Sequence, residues 1–430
     1  MNNIYKDLYL ISEDVLSFVD DVEEGLEEKF KKLEDIREYN EIKVIKAMQD
    51  ERLSQVDFKS SSGYGYGDMG RDKTESIFTN VFRGEDSLVR PAISSGTHAL
   101  SLTLFALLNY GEKMLRLTGH PYDTLQEVIG IKGNEKGSLI ERGVKYEKVD
   151  LKDGEVNYDI CKKVLKDEKI KLILIQRSTG YTERRALTIN EIKKAIDAIR
   201  EVDKEVIIMI DNCYGEFTEK IEPLEVGADI MVGSLIKNPG GGIAISGGYI
   251  TGRKDLIERV SNQLYAPGLG KETGLSFNQT KNTLQGLYFA PHITCEALKT
   301  ATLFQNVYDK LGFKVIPSKD SERSDIICAI ELGNPDLIET FCKAIQKAST
   351  VDSFVTPIPR PMPGYEDKII MATGGFVDGS SIEISADGPL REPYIVYYQG
   401  GLTYDQGKLA LYQTLEDLNN KYDILNLRRI

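Results

Sequence analysis

The 430-residue chain contains no tryptophan and only three histidines, His98, His120 and His292. It has no His-Glu-x-x-His run and no Cys-x-x-Cys pair, so a metal centre built on these residues is not expected. Cysteine is scarce and scattered (Cys161, Cys213, Cys295, Cys328, Cys342), which reads as reduced thiols in the cytoplasm rather than a disulfide frame. Long apolar runs are missing: nothing approaches the roughly 18 residues that cross a bilayer, so no membrane contact is expected. Residues 1–15 carry charges throughout, unlike a secretory leader. Positive charge is in deficit, with 54 basic against 67 acidic residues and a net −13. A surface of that sign repels a phosphate backbone, so nucleic acid is not an expected partner.

What is present is an ordinary globular composition, 41% hydrophobic and 28% charged, over a length that accommodates a large and a smaller domain. Val15, Phe18, Val19 and Val22 recur at helical spacing, followed by Phe30 and Leu33 in a Glu/Lys-rich stretch. Residues 1–55 therefore read as a helical arm that packs on the body or on another subunit. Residues 58–74 form a loop rich in glycine and tyrosine. Beyond it, short apolar runs (Lys171–Ile175, Val206–Ile210, Ile230–Val232, Ile243–Ile245) alternate with helical segments such as Ile189–Arg200. That alternation predicts parallel strands buried on both faces. The expectation is a three-layer α/β/α domain over residues 56–300. A helix near Cys295–Leu311 leads to a smaller α+β domain over 301–430. Its expected strands are Ile326–Ile330, Ser381–Ser385 and Tyr394–Tyr398, and its expected helices Pro335–Ala348 and Tyr404–Tyr422.

Two polar residues follow two of these strands. Val206–Ile210 ends directly in Asp211, and Ile230–Val232 leads through Ser234 to Lys237 and a glycine run. Alone, Asp211 reads as a helix cap and Lys237 as a surface lysine. Together, at the carboxyl edge of an open α/β sheet, they occupy the edge where ligands bind. A lysine amine condenses with an aldehyde, and a carboxylate beside a pyridine nitrogen keeps that nitrogen protonated. This pair points to pyridoxal 5′-phosphate, with Lys237 as its covalent anchor and Asp211 as its ring partner. Ser95-Gly96-Thr97 opens an apolar helix, and its hydroxyls and free N–H groups suit a phosphate. The plain alternative is an N-cap by Ser95. Ser234 is a further phosphate candidate. Tyr122, in Thr118-Gly-His-Pro-Tyr122, could lie on the cofactor ring.

Gly65-Tyr-Gly-Asp-Met-Gly70 matches a dinucleotide fingerprint in letters only, because it follows a loop and not a strand. The better reading is a loop that presents Tyr64, Tyr66 and Arg71 to an active site, including that of a neighbouring subunit. An amino-acid substrate calls for a guanidinium at its α-carboxylate. Arg391 is the first candidate for that clamp, with Arg360 and Arg177 as competitors.

These motifs resemble the fold-type-I pyridoxal-phosphate enzymes. Within them they look like the methionine γ-lyase-like branch known as aluminium resistance or cystathionine β-lyase-like proteins. The residues that carry the resemblance are Gly63–Asp72, Ser95–Ala99, Gln176–Tyr181, Asp211–Phe217 and Ser234–Gly242. The resemblance implies the same roles for Lys237, Asp211, Ser95, Gly96, Thr97 and Tyr122. It also implies a homotetramer of dimers with shared active sites. The implied activity is carbon–sulfur lysis of a sulfur amino acid (cystathionine, cysteine, homocysteine or methionine). Lys237 takes the α-proton, β- or γ-elimination follows, and Tyr122 or Tyr66 protonates the leaving thiolate. This chain departs from the better-known lyases in having Ser-Leu-Ile-Lys at its lysine and Ser-Gly-Thr-His at its phosphate loop. The departure bears on substrate more than on cofactor. Transamination, aldol cleavage and a non-catalytic regulatory role stand as alternatives.

Overall fold

Strings of Ile, Leu, Val and Met in the middle of the chain build a seven-stranded sheet. The computed structural model describes residues 4–133, 136–152, 154–362 and 365–426. The strands are β1 (Asp86–Arg90), β2 (Lys113–Arg116), β3 (Lys145–Lys148), β4 (Leu172–Gln176), β5 (Ile207–Asp211), β6 (Ile230–Ser234) and β7 (Gly248–Gly252). Their order is β1-β7-β6-β5-β4-β2-β3. The five strands from β6 to β3 run parallel, while β7 is antiparallel to both β6 and β1.

Alternate residues of each parallel strand serve opposite faces. Leu172, Leu174 and Met209 pack with Leu100 and Leu104 of helix Gly96–Leu107 and with Ile257 and Val260 of helix Lys254–Leu264. Ile173, Ile175, Ile208 and Ile210 pack with Cys161 and Leu165 of helix Tyr158–Asp167 and with Ile192 and Ile196 of helix Ile189–Arg200. The three-layer expectation is thereby met. The expected strand at Ile243–Ile245 is not there: these residues follow the Lys237 loop, and Ile245 is 53% exposed. The seventh strand is Gly248–Gly252, two glycines around Tyr-Ile-Thr. It is cryptic in sequence because small residues are needed there. A Cβ at Gly248 would lie 2.8 Å from Ile93 Cγ2 and 3.2 Å from Ala99 Cβ.

A second sheet forms from β8 (Lys314–Ile316), β9 (Cys328–Glu331), β10 (Ile369–Thr373), β11 (Ile384–Pro389) and β12 (Ile395–Gly400). It is antiparallel throughout, in the order β10-β11-β12-β9-β8. The helices Pro335–Ala348 and Tyr404–Tyr422 share its core. The linking helix is longer than its sequence signature. It runs over Thr280–Lys310, contains Pro291, and passes through the expected boundary at residue 300. Its Leu284 and Leu287 join the core beneath β7, and its Phe304 and Val307 join that of the second sheet.

The N-terminal arm packs on the body. Val15, Leu16, Val19 and Val22 of helix Glu13–Glu23 enter the second sheet's core beside Phe304 and Tyr412. The next helix, Glu27–Asp50, sends Val44 and Ala47 towards Ile77 and Phe78. No helix among the described residues is long and apolar enough to cross a membrane.

Candidate active site

A cavity of about 250 Å³ opens at the carboxyl ends of β4, β5 and β6 and is walled on its far side by Tyr397 and Gln399 of β12. It is lined by Lys237, Asp211, Ser95, Gly96, Thr97, Tyr122 and Ser234. The structure thus brings together seven residues that the sequence scattered over 143 positions (95 to 237 inclusive).

Asp211 is the last residue of β5, in register with Gln176 of β4 and Val232 of β6. Its Oδ1 accepts a hydrogen bond from Cys213 N at 3.2 Å. Burial pushes the carboxyl up from its ordinary range, while Lys237, Cys213 and Arg116 pull against that shift. Lys237 lies just beyond β6 with its Nζ 3.9 Å from the centroid of the Tyr214 ring. Burial works against its charge, but its polar neighbours Cys213, Tyr214 and Tyr122 and the Asp211 carboxylate favour the ammonium. The free amine is therefore stored as a cation. Asn238 next to it donates to the carbonyls of Tyr214 and Glu216, at 3.0 Å each, and ties the lysine loop to the loop after β5.

At the other end of the cavity, Ser95 caps helix Gly96–Leu107, its Oγ accepting from His98 N at 3.0 Å. The plain capping reading of Ser95 is correct, and it does not displace the anion reading. With His98 N held by that hydroxyl and Ala99 N by the Ser95 carbonyl, the N–H groups of Gly96 and Thr97 are the helix's open donors. A Cβ on Gly96 would sit 3.3 Å from both Cys213 Sγ and Ser234 Cβ, so glycine keeps this end of the cavity open. Thr97 Oγ1 lies 3.5 Å from the Tyr122 hydroxyl and 3.4 Å from Thr124 Oγ1. Burial raises the Tyr122 phenol, so it keeps its proton at neutral pH. A buried amine beside a carboxylate, an aromatic wall and a capped helix N-terminus form a donor set that fits pyridoxal phosphate.

Other expected residues lie elsewhere. Tyr64 and Tyr66 are 76% and 62% exposed, outside this cavity. Arg71 does not line this cavity. It is buried, donates to the carbonyls of Gly65 (2.7 Å), Gly274 (3.0 Å) and Glu272 (3.2 Å), and thereby shapes the loop that carries the tyrosines. Arg177 is fully buried and bound to Asn212, Thr218, Glu219, Glu222 and Ser324. Arg360 is exposed and bridges to Ile369. Arg391 lies behind Tyr181 and Tyr397, 3.5 Å from Asp367 and 3.9 Å from Asp123. None of these arginines lines the cavity.

Several lining residues escaped the sequence reading: Gln176, Tyr181, Cys213, Tyr214, Tyr365, Tyr397 and Gln399. Gln176 and Tyr181 stood in the same motif as Arg177, where the charged residue drew the attention. Behind the wall, Asp387 accepts from Tyr181 Oη at 2.8 Å and from Gln399 Nε2 at 3.0 Å. Burial pushes its carboxyl up to about 6. The wall where a guanidinium was expected thus carries phenols, an amide and an acid.

A doubly covered sheet of this topology, with a lysine and a carboxylate after adjacent strands and a second antiparallel sheet closing the cleft, is the fold-type-I arrangement of pyridoxal-phosphate enzymes. The same fold is seen in the pyridoxal-5′-phosphate-dependent protein YhfS of Escherichia coli, 16% identical over 90% of this chain and 97% of that one, with a TM-score of 0.62. The profile of the methionine gamma-lyase family matches residues 15–419, and the chain belongs to that family. A candidate cystathionine beta-lyase involved in aluminum resistance from Clostridium acetobutylicum is 48% identical, with a TM-score of 0.93, over 96% of this chain and 97% of the other. A carbon-sulfur lyase involved in aluminum resistance from Clostridium novyi is 47% identical, with a TM-score of 0.92, over 96% and 98% of the two chains.

Proposed function

We propose that the chain holds pyridoxal 5′-phosphate on Lys237 and cleaves a carbon–sulfur bond in a sulfur-containing amino acid. The observation that carries this reading is the meeting of Lys237, Asp211 and the Gly96–Thr97 helix start in one buried cavity. When bound, the cofactor supplies an aldehyde for the amine and a ring that accepts electron density from the substrate's α-carbon. Gly96 and Thr97 N–H groups, with the hydroxyls of Ser95, Thr97 and Ser234, would hold its phosphate. Asp211 would hold a proton on its ring nitrogen, and Tyr122 would cover the ring.

Among the described residues Lys237 is the one amine lining the cavity, so it is the base for the α-proton. Its surroundings favour the ammonium, so it accepts that proton readily and must lose one before it bonds to an aldehyde. Tyr122 keeps its proton and can give it to a departing thiolate. Tyr64 and Tyr66, exposed on their loop, reach the site of a neighbouring subunit in a homotetramer of dimers.

The test is a panel of cystathionine, cysteine, homocysteine and methionine, scored for thiol and 2-oxo acid. Purified protein with cofactor is expected to absorb as an imine and release both products from at least one of them. The Lys237→Ala variant should lose the band and at least ~10³-fold in rate. Product that appears only when a keto acid is added would replace lysis with transamination.

A further inference from the structure

Two buried guanidinium groups lie near Gln176 and Asp211, and among the described residues neither forms an ion pair with a carboxylate, although Asp325 also acts on Arg184. Removing an unpaired charge from water costs several kcal/mol, so such groups usually meet a carboxylate. Arg116, the last residue of β2, is 1% exposed. Its Nε donates to the Gly119 carbonyl at 2.9 Å. Its Nη2 donates to Gln176 Oε1 at 2.7 Å and to the His120 carbonyl at 3.4 Å. Its Nη1 has no partner among the described residues. Arg184 donates only to backbone carbonyls, those of Gln176, Arg177, Ser178 and Arg185. Its Nε is also unpartnered among the described residues.

Both arginines converge on Gln176, which faces Asp211 across the β4–β5 ladder. The Asp211 carboxylate is among the charges that act on Arg116. Burial lowers Arg116 to about 10 and, with help from Arg116, lowers Arg184 to about 9, so both remain cations at neutral pH. Gln176 and Asp211 line the cavity, and Arg116 stands outside it.

We propose that Arg116, anchored by Gln176, is a positioning residue that fixes where the proton between Asp211 and the cofactor's ring nitrogen resides. A carboxyl and a pyridine nitrogen in contact share one proton. A fixed cation outside the wall stabilises the carboxylate over the neutral acid, so the proton goes to the nitrogen. No other bond changes. Arg184 adds to the same field from the Gln176 carbonyl.

The inference rests on the cofactor reading above. Its test loads wild-type protein and variants with pyridoxal phosphate carrying ¹⁵N in the ring and reads the nitrogen's chemical shift across neutral pH. Wild type is expected to show a protonated ring nitrogen. Arg116→Met should keep the imine absorption while its ring signal moves towards the unprotonated position, and Arg116→Lys should return most of that shift. Gln176→Leu, which frees the guanidinium without removing it, should fall between them. A wild-type shift in Arg116→Met overturns the proposal. If that variant does not melt cooperatively, a wild-type shift in Gln176→Leu overturns it instead. Wild-type protein that takes up no cofactor refutes the earlier reading, which is a different result from either.

Discussion

Glu216 shows what burial does to a single side chain in this molecule. It follows Asp211 by a few residues, accepts from Tyr249 Oη at 2.7 Å through Oε1, and has no partner for Oε2 among the described residues. Burial pushes its carboxyl up to about 8 from an ordinary 4.5. The folded state therefore binds a proton that the unfolded chain releases at lower pH. Its contribution to stability is complete below pH 4.5 and is lost as pH rises through about 8. Glu216→Gln mimics the protonated acid and never ionises. Thermal melts should show the variant more stable than wild type above pH 8, by on the order of a few kcal/mol, with the gap closing towards acid. An equal gap at all pH values would mean that the carboxyl is not perturbed.

At this scale, the residues legible in sequence were those whose role follows from local grammar. Lys237, Asp211 and Ser95–Thr97 each follow a strand or open a helix, and the structure places all of them in the cavity. The arginines were illegible because a guanidinium's partners come from far along the chain. Arg177 meets Ser324, and Arg71 meets Glu272 and Gly274. Nothing near either residue announces those contacts.

Among the elements, helix Glu13–Glu23 has an importance out of proportion to its length. Its Val19 is fully buried, in one cluster with Phe304, Phe341 and Tyr412. An ionised side chain there would be buried in an apolar cluster. Val19→Asp should cost roughly 3–5 kcal/mol in denaturant unfolding, whereas Asp14→Asn, on the exposed side of the same helix, should stay within about 0.5 kcal/mol. Equal midpoints for the two would mean that this helix does not belong to the core. Helix-forming spacing revealed the element, but its docking partner is not encoded locally. The same limit explains Ile243–Ile245. A short apolar run suggested a strand, but the chain had first to turn at Gly240–Gly242, and pairing resumes only at Gly248. β8, three residues long, was too short to register.

For the whole molecule, the three-layer domain and the second sheet followed from the order of apolar runs, and the family resemblance was borne out by the profile match. The antiparallel seating of β7 and β1 did not follow, because strand order depends on contacts between residues more than 150 apart, such as Leu88 with Ile250. The exposure of Tyr64 and Tyr66 frames a test at this scale. Under the proposed shared-site assembly, Lys237→Ala and Tyr66→Ala subunits, each impaired alone, should regain up to about half of wild-type activity when co-assembled, because a mixed dimer would rebuild one complete site. Mixtures no better than the separate variants would restrict each site to one subunit.

Ser12 donates to the carboxylate of Glu416 through both N and Oγ, at 2.9 and 2.7 Å, and joins segments 404 residues apart. The cluster beneath β12 needs residues from both of these segments, Val15 and Leu16 as well as Leu411 and Leu415. That cluster can therefore close only after Leu411 and Leu415 have joined the chain. The wall formed by Tyr397 and Gln399 sets only after the strands that carry Asp211 and Lys237, so a growing chain holds its lysine loop through the next 160 residues without the half of the cleft that shields it.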